Sequence, residues 1–266
     1  MRILLLSDIH GNLEALEACL SAAPPHDSVV NLGDIVGYGA SPNEVTDRSR
    51  ALGSVFVRGN HDKACAGLEG LEYFNPIAAW AALWTQQVLT PENYEWLRAL
   101  PSGPLPIGQV ESPAAKIDGE DAAAMPVYAV HGSPADEDEY IITLHDALDV
   151  LMRSSVRLTF FGHTHVQGGF SLNSADGALV LNPSYVTKTN AEQIDFSLDP
   201  ATRYLINPGS VGQPRDGDWR SAFALFDSAA YAVTFFRVPY NVESAQKRIY
   251  EAKLPDRLAL RLKEGR

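Results

Sequence analysis

Five times within the first 165 residues, a short apolar run of strand length stops abruptly on histidine, aspartate or asparagine. The runs are 3–6, 28–32, 54–57, 127–130 and 158–161. They deliver, in turn, Asp8 and His10, then Asp34, then Asn60 and His61, then His131, then His163 and His165. A short run without polar alternation can be buried on both faces of a sheet, and the first polar groups after it emerge at the carboxyl edge, where open α/β sheets place their sites. Between the first three runs lie helix-compatible segments. Leu13, Leu16 and Leu20 recur at helical spacing behind Asn12 as N-cap, and Ser41-Pro42 opens a second helix. A parallel βαβ arrangement follows. Asp8 and His10, two residues apart on an extended segment, would face one pocket and could hold one divalent metal ion.

The rest of the chain supplies cover. Residues 64–100 read as a helical, aromatic segment, with helices opening at Asn75-Pro76 and Thr90-Pro91, packed over one sheet edge. Residues 101–125 carry Pro and Gly at turn spacing, and 111–125 read as an exposed loop. Residues 135–154 are helix-compatible. After His165 the strand-like pieces around 177–182, 203–210, 221–227 and 231–238 predict antiparallel pairing, the last two as a hairpin. Residues 241–266 predict two helices broken at Leu254-Pro255, with their charges on a solvated face. With 266 residues and no linker-like shift in composition, one domain spanning 1–266 is expected.

Composition narrows the partners. Lys plus Arg number 21 against 33 Asp plus Glu, a formal net charge of −12, which disfavours long nucleic acid. A small phosphate ester remains compatible, because a metal can dominate the local field. Cys19 and Cys65 are the only cysteines. They are too few for a disulfide framework; Cys19 reads as a buried helix residue, and Cys65 is not needed as a ligand. The amino-terminal apolar stretch falls short of the roughly 7–15 residues of a signal h-region. No run approaches the roughly 20 apolar residues of a membrane span, so a cytoplasmic location is expected. Oligomeric state is left open.

Of seven histidines, five fall on the strand-end set, leaving only His26 and His145 elsewhere. The blocks D-x-H, GD, GNHD, an isolated H and GHxH, in that order across residues 8–165, resemble the calcineurin-like metallophosphoesterase superfamily. The resemblance implies an α/β (α+β) fold, a four-layer α-β-β-α sandwich with two mixed central sheets and two metal ions at their carboxyl edges. Carried over by motif, Asp8, His10, Asp34 and His165 would hold one ion; Asp34, Asn60, His131 and His163 would hold the other. One carboxylate can bridge ions about 3.5–4 Å apart, a pair that makes hydroxide available near neutral pH. His61, left without an ion, is implied to contact the phosphate or protonate the leaving oxygen, and Asn60 also touches substrate. The mixed donor set admits Mn, Fe, Zn, Co or Ni.

Two departures narrow the branch. Where the Ser/Thr protein phosphatases continue GDxxDRG, this chain has GDIVGYG, with Gly37 and Tyr38 in place of the Asp and Arg. The stretch 207–218, NPGSVGQPRDGD, instead resembles small stand-alone bacterial and archaeal phosphodiesterases, some acting on dinucleoside polyphosphates. Arg215 could contact a phosphate or could pair with Asp216 or Asp218. The expected activity is hydrolysis of a small, nucleotide-like phosphate ester by a phosphodiesterase or phosphatase. A noncatalytic module whose metals organise a partner surface is the competing reading, and it leaves His61 without a duty. A nuclease would need a basic track that the charge balance does not supply.

Overall fold

Hydrophobic alternation within each apolar run decides the layering. In the computed structural model, which describes residues 1–53, 55–110 and 125–266, β1 (Arg2–Leu6) sends Ile3 and Leu5 to one face and Leu4 and Leu6 to the other, all fully buried. Ile3 and Leu5 join a core with Val30, Phe160, Ile206 and Phe226. Leu4 and Leu6 pack with Leu16 and Cys19 of α1 (Leu13–Ala22). A strand covered on both faces has no place for polar alternation, which is why the run is uniformly apolar.

Two six-stranded mixed sheets result. The first has the order β3-β2-β1-β11-β12-β9, with β2 (Ser28–Asn31), β3 (Val55–Phe56), β9 (Glu192–Ser197), β11 (Ser221–Asp227) and β12 (Ala232–Val238). The second has the order β4-β5-β6-β10-β7-β8. Its strands are β4 (Leu105–Val110), β5 (Met125–Ala129), β6 (Leu158–Phe160), β7 (Gly168–Asn173), β8 (Gly177–Leu181) and β10 (Arg203–Asn207). Their inner faces share one apolar cluster. Helix α1 covers the first sheet through β11 and β12, with α7 (Val242–Glu251) against α1 and α8 (Asp256–Glu264) against α7. Helix α6 (Leu144–Arg153) covers the second sheet. The expected α-β-β-α layering is present. No helix among the described residues is long and apolar enough to cross a membrane.

Parallel pairing is what assembles the site. Strands β1, β2 and β3 run parallel, as do β5 and β6, so all five ligand-bearing turns leave the two sheets at carboxyl edges. Helices α2 (Pro42–Ala51), α4 (Pro76–Val88) and α5 (Pro91–Arg98) begin at the expected prolines, and a short α3 (Asn60–Cys65) starts directly on the ligand-type residues.

Two expectations are corrected, and two strands go beyond those expected. Residues 135–154 are not one helix. Thr143 caps α6, its hydroxyl accepting from Asp146 N at 3.2 Å while Asp146 accepts from Thr143 N at 2.8 Å, and Ser133 Oγ accepts from the amides of Ala135 and Asp136, holding the preceding residues in a loop. Strands β7 and β9 lack a continuous apolar run: β7 opens on Gly168-Gly169, and β9 alternates half-buried with exposed residues. Finally, β10 pairs parallel with β6 as well as antiparallel with β7. The loop expected at 111–125 lies, apart from Met125, outside the described residues, as does Ser54 at the start of the third run.

Truncating the inter-sheet core should be costly. Leu5→Ala is expected to lower unfolding free energy by about 2–5 kcal/mol, read by denaturant titration; a loss under about 0.5 kcal/mol, the range of surface changes, would contradict the layering.

Candidate metal centre

The turns at the strand ends are tighter than an extended segment allows. Asp8, His10, Asp34, His163 and His165 all have positive φ, at 53°, 49°, 55°, 66° and 59°. Non-glycine residues in this region cost of order 1–3 kcal/mol each and persist where the surroundings over-determine them. Asp8 and His10 therefore converge through two left-handed kinks around the buried Ile9, not by two-residue spacing on a strand. Main-chain bonds between turns hold them: Asp8 N donates to Gly33 O at 2.9 Å, His10 N to Asp34 O at 2.9 Å and Gly11 N to Ile35 O at 3.0 Å.

The imidazoles are oriented by main-chain carbonyls. His10 Nδ1 donates to Val36 O (3.1 Å), His131 Nδ1 to Leu32 O (2.8 Å) and His165 Nδ1 to Gln213 O (2.6 Å). Since a carbonyl only accepts, Nδ1 carries the proton in each ring, and Nε2 is turned to the pocket. His163 is reversed: Nε2 bonds to Asp138 O at 3.1 Å, which frees Nδ1, and its ring stacks on Tyr140 at 3.7 Å. Burial pulls the pKa of His10 and His165 well below the usual imidazole range, and that of His163 to about 3. Two such neutral rings, His10 and His165, bring Nε2 atoms within 3.1 Å of each other. With both Nδ1 atoms protonated, two lone pairs face one another there, an arrangement that a shared cation resolves.

Asp34 lies between the two halves. Its Oδ1 accepts from His61 N at 2.8 Å; its Oδ2 is 3.5 Å from both His10 Nε2 and His131 Nε2. Burial opposes its charge, but His131 and His61 outweigh that and hold its carboxyl well below the usual range. Asp8 Oδ2 accepts from Ser7 Oγ at 2.6 Å, while Oδ1 is buried without a hydrogen-bond partner among the described residues, 3.3 Å from His165 Nε2. Burial, with Asp34 nearby, pushes Asp8 up to about 7. His131 is held at about 10: burial opposes its charge, and the Asp34 carboxylate overrides burial. A buried carboxylate that draws a proton onto its neighbour marks a place for positive charge.

Donor atoms of Asp8, His10, Asp34 and His165 lie within 4.8 Å of one another, as do those of Asp34, His131 and His163. Asn60 Oδ1, 3.3 Å from His131 Nε2, adjoins the second group. The orphaned Asp8 oxygen, the opposed Nε2 atoms and the all-oxygen-and-imidazole donor set fit two divalent ions sharing Asp34. Cys65 is buried and belongs to neither group.

His61 lies beside the groups. Its ring is packed by Tyr38 (4.3 Å between centroids), His10 (4.9 Å) and, edge-on, Phe74 (4.9 Å), and its Nδ1 has no hydrogen-bond partner among the described residues. Gly37, at φ +87°, is pressed against it: a Cβ there would stand 2.5 Å from His61 Nδ1. Packing by Tyr38, Phe74 and the Gly37 main chain therefore orients the ring. Burial lowers its pKa to about 4. A cleft of about 360 Å³ opens here, lined by His61, Tyr38, Tyr73, Phe74 and Tyr140.

Arg215 is at the site edge, its N–H donating to His165 O at 3.2 Å and its Nη2 reaching Tyr38 Oη (3.4 Å) and Gln213 Oε1 (3.3 Å). It pairs with neither Asp216 nor Asp218, which bind Arg237 and Arg220. Sequence reasoning missed Asp62. Its Oδ1 accepts from Ile35 N (2.8 Å) and Val36 N (3.1 Å), and its Oδ2 from Gly59 N (3.1 Å), clamping the Asp34 turn to the Asn60 turn. The signal was the fourth letter of GNHD. Tyr140 and the Asp138 carbonyl were missed with the loop that carries them.

The model of the calcineurin-like phosphoesterase family matches residues 1–167. Over 266 residues the chain is 36% identical to an uncharacterised protein of Methanocaldococcus jannaschii, covering 99% of this chain and 98% of that one. The crystal structure of a metallophosphoesterase from Sphaerobacter thermophilus is 40% identical with a TM-score of 0.76, covering 100% of this chain and 99% of the other. A hypothetical protein from Pyrococcus horikoshii, 20% identical, shares the fold, with a TM-score of 0.73 and coverage of 100% and 98%.

Asp62→Asn keeps the shape of the clamp but turns one acceptor into an N–H facing a main-chain N–H. A stability loss of about 1–3 kcal/mol is expected, measured by chemical unfolding; a change within about 0.5 kcal/mol would remove the clamp from the account.

Proposed function

The chain belongs to the calcineurin-like phosphoesterase family, and from that premise we propose that it acts as a phosphodiesterase or phosphatase on a small, nucleotide-like phosphate compound, such as a dinucleoside polyphosphate, with two ions held around Asp34. That the protein is a metal-dependent phosphoesterase follows from the family; the ligand assignment, the part of His61 and the substrate are the proposal. The observation that carries it is the single free oxygen of Asp34, equidistant at 3.5 Å from a donor nitrogen of each ligand group.

Asp8, His10, Asp34 and His165 hold one ion; Asp34, Asn60, His131 and His163 hold the other. Bound there, the ions supply Lewis acidity, activating the attacking water and neutralising charge on the phosphoryl oxygens. The protein's own part is orientation. The carbonyls of Leu32, Val36 and Gln213 keep three imidazoles in the tautomer that presents Nε2. His61, neutral in the free site, donates an N–H towards the bound phosphate, whose negative charge favours the protonated ring and so prepares it to protonate the leaving oxygen. The rings of Tyr38, Tyr73, Phe74 and Tyr140 around the cleft support a substrate with a flat base, because aromatic faces stack on bases. Tyr73 is 90% exposed and available for such a contact.

Metal-loaded protein is expected to cleave bis(p-nitrophenyl) phosphate faster than p-nitrophenyl phosphate, and chelation should abolish turnover until a divalent ion is restored. Asp34→Ala should lose bound metal by elemental analysis together with turnover. His61→Ala should keep its metal and lose about 10²–10⁴-fold in kcat. Unchanged turnover in both variants would overturn the proposal.

A further inference from the structure

Beside the two ligand groups, two guanidiniums face one tyrosine. Arg215 Cζ is 5.8 Å from the centroid of the Tyr38 ring, and Arg261 Cζ is 5.3 Å from it. The same ring touches His10 at 4.7 Å and His61 at 4.3 Å, so both arginines border the place where a phosphate would meet His61. Arg261 comes from α8, beyond the residues that the family model matches. It departs from the solvated face expected for the carboxyl-terminal helices. Its helix neighbours do pair at the surface, Arg257 with Glu264 and Lys263 with Glu243. Arg261 instead lies half-buried against Tyr38, with Nε donating to the main-chain oxygen of Arg266 at 2.6 Å.

Among the described residues, neither Arg215 nor Arg261 forms an ion pair with an aspartate or glutamate, and Arg215 Nε is buried without any partner. Two partly buried cations close enough to repel are a strained arrangement. Burial first, and the Arg215 charge second, depress the pKa of Arg261. An anion placed between them removes both penalties, and the planar fork of arginine matches phosphoryl oxygens. Asp8 and Asp34 face the ligand groups.

We infer that Arg215 and Arg261, both packed against the Tyr38 ring, form a subsite for a second phosphoryl group, so that the preferred substrate carries a phosphoanhydride rather than one isolated phosphate. The subsite rests on the proposed hydrolysis at the metal groups, since it positions the phosphorus next to the one attacked there. It also places the carboxyl-terminal helix in substrate selection.

The test compares bis(p-nitrophenyl) phosphate, which has one phosphorus, with diadenosine tetraphosphate in metal-loaded wild type, Arg261→Gln and Arg261→Lys. Losing a charge-assisted contact is expected to raise KM for the tetraphosphate about tenfold or more. Its kcat should change little, and the single-phosphorus ester should lose several-fold less, which also reports a folded site. Arg261→Lys, which retains the charge, should fall between. With the single-phosphorus ester as reporter, the inhibition constant of methylenediphosphonate should rise about tenfold in Arg261→Gln, and that of orthophosphate much less. Equal losses on both esters, an equal shift for orthophosphate and diphosphonate, or no difference between Gln and Lys would each overturn the subsite. Absence of turnover on every ester in wild type would instead overturn the hydrolysis on which it rests.

Discussion

Asp34 Oδ2 is the atom on which the site depends. Its partner oxygen is fixed by the His61 amide, so the carboxylate cannot rotate to serve one half of the site at the expense of the other. Oδ2 is left 3.5 Å from both His10 and His131. A carboxylate 1% exposed is costly to keep charged without compensation. The compensation here is deliberate in geometry: two imidazole nitrogens aimed at one oxygen, with a proton drawn onto His131 where a cation would otherwise sit.

The fold exists to hold that oxygen still. Parallel strands bring five turns to the carboxyl edges of two packed sheets, and three of those turns are forced through left-handed residues, at Asp8 and His10, at Asp34, and at His163 and His165. Asp62 accepts three main-chain N–H groups from two of those turns, so the local strain is shared across a bonded network. Main-chain carbonyls complete the arrangement by choosing which nitrogen of His10, His131, His163 and His165 faces the pocket.

The strand-end histidines and aspartates were legible because hydrophobic runs bury on both faces and must end at a sheet edge; Ile3 and Leu5 opposite Leu4 and Leu6 bear that out. The way Asp8 and His10 converge was not legible, since left-handed φ at non-glycine residues leaves no periodic trace. The composition of residues 135–143 permits a helix, whereas Ser133 and Thr143 impose a turn and a cap. Asp138 and Tyr140 were lost to view with that segment. Arg261 was invisible for another reason: it stands among the charges of α8, and only tertiary packing brings it to Tyr38. The parallel pairing of β10 with β6 is likewise a long-range fact that no local pattern encodes.

The most direct test of the shared carboxylate is a crystal structure of metal-loaded protein with anomalous scattering from the metals. Two peaks about 3.5–4 Å apart are expected, both within bonding distance of Asp34 and flanked by the His10/His165 and His131/His163 pairs. A single peak, or two ions of which only one touches Asp34, would contradict it.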